Sequence, residues 1–501
     1  MDTLEAAFGL ILHWDVVTTI AIAAIFGLFV GAIPGLTATM AIALLVPTTF
    51  FMDPVPAIGA MITCSAMAIF AGDIPGTMLR IPGTPASAAY ADEAFRMTQK
   101  GEAEIALGAN LLFSAVGGLF GTAILMLMAP WLAEVALKFS SFEYFWMALL
   151  GLTCATFIGT GAPIKGLISL FIGLLVATVG LNNPAGVPRF TFGDINLLGG
   201  IDFISAMIGL FAVSEVLRVA ASGARSLPVP QASVGNLFKG WGRLFVRYWP
   251  QQLRGNILGT AIGVLPGSGA DIAAWVSYAV SRKFSRTPEK FGTGHLEGIV
   301  ESTSANNAAL GGAWVPALVF GIPGDSITAI VIGVLYVKGV NPGPTLFLTN
   351  PQTIYAIFLI FIIANLIMVP FGWGAIKLAK QILRVPPKIL MPVILSFCMV
   401  GAFATNNATF DVSVMLVFGV LGFIMEENDI PIAPCILGIV LGPMLEQNFV
   451  TSMIKSDGSF LAFFERPIAA GLGLFTLFVW GASFVSSYLA QRRAADDPSP
   501  A

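Results

Sequence analysis

The chain has 501 residues, 56% of them hydrophobic and only 11% charged, with a formal net charge of −3 at neutral pH. A soluble globular domain carries about 25% charged residues, so this balance excludes a soluble class. With a mean hydropathy of +0.86, it points to an all-α polytopic membrane protein, and the weak acidity gives no reason to expect nucleic acid as a partner.

The first fifteen residues are acidic (Asp2, Glu5, Asp15) and lack the basic start of a signal peptide. Apolar segments follow near 16–33, 37–50, 56–72, 104–130, 143–161, 164–181 and 199–220. A basic stretch, 221–254, contains Arg225, Lys239, Arg243, Arg247 and Arg254. Beyond it, segments fall near 255–266, 269–283, 300–321, 324–340, 353–376, 391–407, 409–425, 431–448 and 466–489. Several are shorter than the roughly 20 residues that span a bilayer, and are expected to be half-helices of re-entrant hairpins. The expected organisation is a first transmembrane repeat (1–220), a cytoplasmic linker (221–254), a second repeat (255–465) and a terminal helix with its tail (466–501). Basic loops lie on the cytoplasmic side. The linker, the loop with Lys377, Lys380, Arg384 and Lys388, and the tail with Arg492 and Arg493 therefore predict a cytoplasmic C-terminus, and the acidic N-terminus fits the opposite, periplasmic side.

Proline and glycine punctuate the two halves in matched order. Gly27-x-x-x-Gly31-x-x-Pro34-Gly35 returns as Gly259-x-x-x-Gly263-x-x-Pro266-Gly267, displaced by 232 residues (27 to 259). Ile81-Pro82-Gly83-Thr84 returns as Ile322-Pro323-Gly324-Asp325, displaced by 241 (81 to 322). With one half starting outside and the other inside, the repeats are read as inverted, the arrangement of many secondary transporters. Across Ala71–Ser87, where Pro-Gly occurs twice, no continuous helix is expected. Gly311–Ser326 is its counterpart.

Small hydroxyl residues follow each break: Thr37 and Thr39 after Gly35, Thr84 and Ser87 after Gly83, Ser268 after Gly267, Ser326 and Thr328 after Gly324. A helix beginning there directs free N–H groups and its positive end at the break, and two facing ends form an anion site without a buried lysine. The run Glu301-Ser-Thr-Ser-Ala-Asn306-Asn307 is polar within an apolar context. Its asparagines suit a carboxylate or a coupling Na⁺, with Thr39 as a further oxygen, or else cap a helix end. Glu301 is read as a carrier of a coupling proton or as an interfacial charge. Arg80 is placed either against Asp73 or on a substrate carboxylate. Asp271 is explained by the dipole of its own helix, and Arg189 and Glu446 as solvated loop charges open to a partner. The ligand set is thus Gly35, Thr37, Thr39, Arg80, Pro82, Gly83, Thr84, Gly267, Ser268, Asn306, Asn307, Pro323, Gly324, Asp325 and Ser326.

Catalytic signatures are missing. There is no Gly-Lys pair for a Walker A loop, no H-E-x-x-H, no Gly-x-Ser-x-Gly, and no cofactor or enzymatic role is expected. Cys64, Cys154, Cys398 and Cys435 stand singly in apolar segments, as packing residues.

Glu301–Ser326, Gly31–Thr39, Leu79–Ser87, Gly263–Ala270, Arg189–Gly193 and Pro443–Glu446 together closely resemble the large membrane subunit of tripartite tricarboxylate transporters. That resemblance implies ion-gradient-driven uptake (Na⁺ or H⁺) of an organic carboxylate across the bacterial inner membrane. It also implies two partners, a small four-helix membrane subunit and a periplasmic solute-binding protein, and leaves room for a homodimer. An elevator motion of the hairpin domain follows by analogy with other hairpin-bearing transporters. A stand-alone ion-coupled symporter or permease for small anions is the alternative, and an intramembrane enzyme a more distant one. Arg80 departs from the asparagine expected in this family, and Ala71-Gly72-Asp73 from Gly-Gly-Ser; both departures fall beside the proposed site.

Overall fold

The computed structural model describes residues 2–157, 163–181, 183–222, 235–238, 240–383 and 387–496. Arg225, Lys239 and Arg384 of the charge asymmetry lie outside them. The described residues fold into helices joined by short loops. In chain order these begin with α1 (Asp2–Ile11), α2 (Trp14–Gly31), α3 (Ala38–Thr49), α4 (Pro54–Ala71), α5 (Asp73–Leu79), α6 (Ala91–Gln99) and α7 (Ala103–Ala136). Next are α8 (Ser141–Phe157), α9 (Pro163–Ala177), α10 (Phe203–Met207), which runs through a π-turn at Ile208–Val213 into α11 (Ser214–Ser222), α12 (Trp241–Val264), α13 (Gly269–Phe284) and α14 (Leu296–Phe320). The chain closes with α15 (Ser326–Val337), α16 (Leu346–Thr349), α17 (Pro351–Ile382), α18 (Pro387–Asn406), α19 (Thr409–Glu427), α20 (Ile432–Lys455) and α21 (Pro467–Asp496).

Packing divides the chain into two units, Met1–Leu137 with Asp202–Ile432, and Lys138–Ile201 with Ala433–Ala501. These units follow contacts, whereas the division at 220, 254 and 465 follows chain order, so the two schemes cut the molecule differently. The basic stretch 221–254 is helical from Trp241, because α12 starts there.

In the first unit one packing pattern occurs twice. A β-carbon at Gly27 would lie 2.6 Å from the Cys64 carbonyl oxygen, and one at Gly31 2.5 Å from that of Ala68, so α2 rests backbone-to-backbone on α4. At Gly259 and Gly263 the same distances are 2.2 Å to the Ala305 oxygen and 2.3 Å to that of Ala309, seating α12 on α14. The small residues spaced by one turn are therefore contact ridges, as such spacing allows. Cys64 and Ala305, like Ala68 and Ala309, are separated by the same 241 positions as the second Pro-Gly pair. Every residue of α14 is buried, as expected of a helix enclosed by others.

The breaks are shorter than the sequence suggests. Pro75 and Gly76 lie inside α5, and only Gly72, between α4 and α5, and residues 80–86 leave the helix. Pro75 falls in the first turn of α5, where its missing N–H has no intrahelical acceptor to lose. Likewise α14 continues through Pro316 to Phe320, and residues 321–325 alone are non-helical.

The second unit contains α8, α9, α20 and α21. Gly173 and Gly438 bring α9 against α20 at backbone contact, and the Trp146 indole donates to the Phe463 carbonyl at 3.0 Å. Arg189 and Glu446, expected as solvated charges, form a two-pronged ion pair with each other at 2.8 Å per contact. They line a cavity of about 280 Å³ with Phe145, Leu174 and Phe449. All four cysteines are buried and unpaired.

Candidate functional site

Four breaks meet in the first unit. A β-carbon on Gly83 would lie 2.7 Å from the Gly72 α-carbon and 2.8 Å from the Gly31 carbonyl oxygen, which binds the break at 80–86 to the end of α2. Gly83 N–H also donates to the Gly72 carbonyl at 3.0 Å. The break at 80–86 reaches α13 through Ala86 N–H, which donates to Asp271 Oδ1 at 3.0 Å, and through the Trp275 indole, which donates to the Pro85 carbonyl at 3.1 Å. A β-carbon on Gly269 would lie 2.9 Å from the Asp325 β-carbon, joining the break before α13 to the one before α15. Only glycine accommodates such approaches, hence the glycines at these points.

Hydroxyls and carboxylates cap the helix starts at this junction. The Thr37 hydroxyl accepts from Met40 N–H at 3.2 Å and caps α3. Thr84 and Ser87 close a reciprocal turn: Thr84 N–H donates to the Ser87 hydroxyl at 3.1 Å, and Ser87 N–H to the Thr84 hydroxyl at 3.2 Å. Asp325 caps α15 by accepting from Thr328 N–H at 2.7 Å, with the Thr328 hydroxyl closing the capping box. Asp325 and Asp271 thus put negative charge at the starts of α15 and α13, while α3 begins with a neutral cap. Among the three, α3 is the one with no carboxylate in its cap or first turn; the Glu215 carboxylate, 3.5 Å from a β-carbon placed on Gly35, is paired with Arg218.

The remaining predicted residues divide by position. Gly35 is exposed, Thr39 half-buried in the first turn of α3, and Gly267, Ser268, Pro323, Gly324 and Ser326 lie at the junction. The Ser268 hydroxyl is buried without a hydrogen-bond partner. Arg80 turns away from Asp73: its Nε donates to Asp92 Oδ1 at 2.6 Å, and both side chains are more than half exposed. The separation of seven residues suggested the wrong partner, because Arg80 ends α5 in a left-handed conformation (φ 62°) that redirects the side chain toward α6. Asn306 and Asn307 cap no helix; both lie within α14, 1% exposed. Glu301 is fully buried, and two nitrogens of Arg254 hold it.

A buried polar cluster backs the junction. Asp73 begins α5 immediately after Gly72 and is 1% exposed. The Tyr90 hydroxyl donates to its Oδ1 at 2.5 Å and the Thr303 hydroxyl to its Oδ2 at 3.1 Å. Thr303 is also 2.8 Å from the Ser114 hydroxyl. The Thr77 hydroxyl donates to the Asp73 carbonyl and accepts from Asn110 Nδ2. The Asn306 amide stands beside the Tyr90 hydroxyl, yet its oxygen has no hydrogen-bond partner, nor has the Asn307 Oδ1. Neither asparagine is hydrogen-bonded to Thr39. Sequence reasoning missed Tyr90, Thr303 and Arg254; Thr303 alone carried a signal, as a member of the polar run.

Eight helices among the described residues are long and apolar enough to cross a membrane. With broken helices meeting inside a helical unit, the chain is a multi-pass membrane protein of the transporter class. A family model described as the tripartite tricarboxylate transporter TctA family matches residues 17–437, and the chain belongs to that family. An uncharacterised 52.8 kDa protein in the TAR-I ttuC′ 3′ region of Agrobacterium vitis is 36% identical over 449 residues, 89% of each chain. An uncharacterised protein in the TAR-II ttuC′ 3′ region of the same organism is 37% identical over 219 residues, 43% of this chain and 90% of that one. No solved structure matches.

Proposed function

We propose that the chain is the ion-coupled translocating subunit for an organic carboxylate, taken up across the bacterial inner membrane. Membership of the family implies a large subunit working with a small membrane subunit and a periplasmic binding protein. The meeting of four breaks in one place carries the rest of the reading. A carboxylate released from the binding protein enters between them and takes its hydrogen bonds from the N–H groups at the start of α3, from Thr37 and Thr39, and from the turn Thr84–Ser87. Asp271 and Asp325 repel a free anion, so its place is on the α3 side of the junction. The two halves are inverted repeats, the hairpins move as an elevator, and the N-terminus faces the periplasm.

The test is uptake by proteoliposomes holding both membrane subunits, assayed with and without the purified binding protein, over a panel of labelled di- and tricarboxylates. Accumulation that requires the binding protein and an imposed ion gradient, and is indifferent to ATP, supports the reading. Accumulation without the binding protein overturns the tripartite part, and chemical alteration of the substrate overturns transport itself.

A further inference from the structure

The buried acids of the first unit differ in how their charge is balanced. Glu301 has the guanidinium of Arg254. Glu93, fully buried, accepts from the backbone N–H groups of Gly292, Gly294 and His295 and from the Tyr278 hydroxyl. Asp325 is enclosed in its own capping box. Asp73 has two neutral hydroxyls, and among the described residues no arginine, lysine or histidine pairs with it. An uncompensated carboxylate inside a membrane protein is costly to hold and requires a positive charge from elsewhere.

A second, independent deficit lies next to it. Asn306 is 1% exposed and its amide oxygen is without a partner, although it stands against the hydroxyl that binds Asp73. A proton on Asp73 would cancel the charge but leave the Asn306 oxygen unsatisfied. A bound cation supplies both, since carboxylate, hydroxyl and amide oxygens are the donors that hard cations take. One carboxylate among neutral oxygens balances one positive charge, which favours a monovalent over a divalent ion. A small set of hard oxygens suits Na⁺ over the larger K⁺, which takes more ligands.

We propose that Asp73, Thr303 and Asn306 bind a single Na⁺, with the Tyr90 hydroxyl holding the Asp73 carboxylate in position. This rests on the transport reading and gives it a coupling device. Asp73 follows Gly72, and a β-carbon on Gly72 would lie 2.6 Å from the Thr84 side chain. Binding at Asp73 therefore fixes the backbone against which the turn Thr84–Ser87 is seated. The ion ties α5 and the start of α6 to α14, and orders the carboxylate-binding break when it is present.

The experiment separates the ion site from transport. Thermal unfolding of the purified protein in detergent is followed while NaCl replaces choline chloride or KCl at constant ionic strength. A ligand that binds only the folded state raises the midpoint with concentration, so the native protein is expected to be stabilised by Na⁺ and not by K⁺ or choline. Asp73→Asn and Asn306→Leu should abolish this shift. Tyr90→Phe should raise the half-saturating Na⁺ by about tenfold or more, as loss of a supporting hydrogen bond does at metal sites. In proteoliposomes, carboxylate uptake by Asp73→Asn should lose its response to an Na⁺ gradient. Absence of a Na⁺-specific shift in the native protein overturns the proposal even where a variant fails to fold. Equal stabilisation by K⁺, or an Na⁺ response retained in Asp73→Asn, overturns it as well. A native protein that binds Na⁺ but moves no carboxylate with its partners refutes the transport reading and leaves the site standing.

Discussion

Arg254 on α12 and Glu301 on α14 are locked together through two guanidinium nitrogens, with Nε at 2.6 Å from one carboxylate oxygen. The pair sits one residue from Gly255, where a β-carbon would lie 2.4 Å from the Glu301 carbonyl oxygen. Charge pairing and backbone contact therefore fix the same point of the α12–α14 interface. Arg254→Ala strands a buried carboxylate, and should cost about 3–5 kcal/mol. Replacing both partners, as Arg254→Met with Glu301→Gln, should cost much less. Thermal unfolding of the three proteins in detergent checks this, and equal losses for the single and double changes would refute it.

The glycine ridges make a graded prediction. Gly31→Ala and Gly259→Ala place a methyl group against backbone carbonyls at 2.5 and 2.2 Å, and each should cost about 1–3 kcal/mol by overpacking. Gly374, within α17, has nothing within 4 Å of an added β-carbon. Gly374→Ala should be neutral or stabilise by up to about 1 kcal/mol. Comparison of unfolding midpoints tests the ordering.

For the break at 80–86, Gly83→Ala alone should suffice to stop uptake. Its neighbours at 2.7 and 2.8 Å are backbone atoms of Gly72 and Gly31 and cannot move aside as a side chain would. Displacing the break by about 1 Å should lower the transport rate by about a hundredfold, the scale on which misplaced binding groups act. The double change Pro82→Ala with Gly83→Ala should do no less, with membrane insertion intact in both. Normal uptake by either protein would remove the break from the substrate site.

The pair Arg80–Asp92 gives a pH dependence. The hydrogen bond from Arg80, and then its charge, hold the Asp92 carboxyl below its ordinary range against the opposing effect of burial. A depressed carboxyl contributes stability above its unfolded pKa of about 3.9 and loses it as pH falls through the lower, folded value. The contribution is small, because both side chains are largely exposed. Arg80→Asn should remove this acid-limb component and leave carboxylate affinity unchanged. A tenfold change in affinity at pH 7 would place Arg80 on the substrate instead.

How far these features are legible in the sequence depends on their range along the chain. The punctuation at Gly35, Gly83, Gly267 and Gly324 is local, and marks breaks because proline and glycine act on their own backbone. Pro75-Gly76 carries the same letters and is helical, since a proline in a first turn forfeits nothing. The ridge glycines are visible because a spacing of one turn is itself a geometric statement. Partnerships are not: Asp73 meets Tyr90 and Thr303, 17 and 230 residues away, and no spacing rule reaches across such distances. Arg80 shows the opposite failure, where a nearby acid was the obvious partner and a left-handed residue sent the side chain elsewhere.

The complete burial of α14 has a consequence for how the protein is made. This helix carries Glu301, Thr303, Asn306 and Asn307 and is not among the eight apolar enough to cross a membrane. Lateral release of such a segment from the translocon into lipid is unfavourable, with charged positions alone costing about 2.5–3.5 kcal/mol each near the centre. It is expected to wait at the protein-conducting channel until α7 and α12, both earlier in the chain, are there to receive it. The helix that buries Glu301 and the paired asparagines is then one whose insertion depends on prior assembly. Mutations that weaken the α12 ridge should appear first in pulse-labelled biogenesis, as ribosome-released chains with α14 left outside the bilayer, before any defect in uptake is measured.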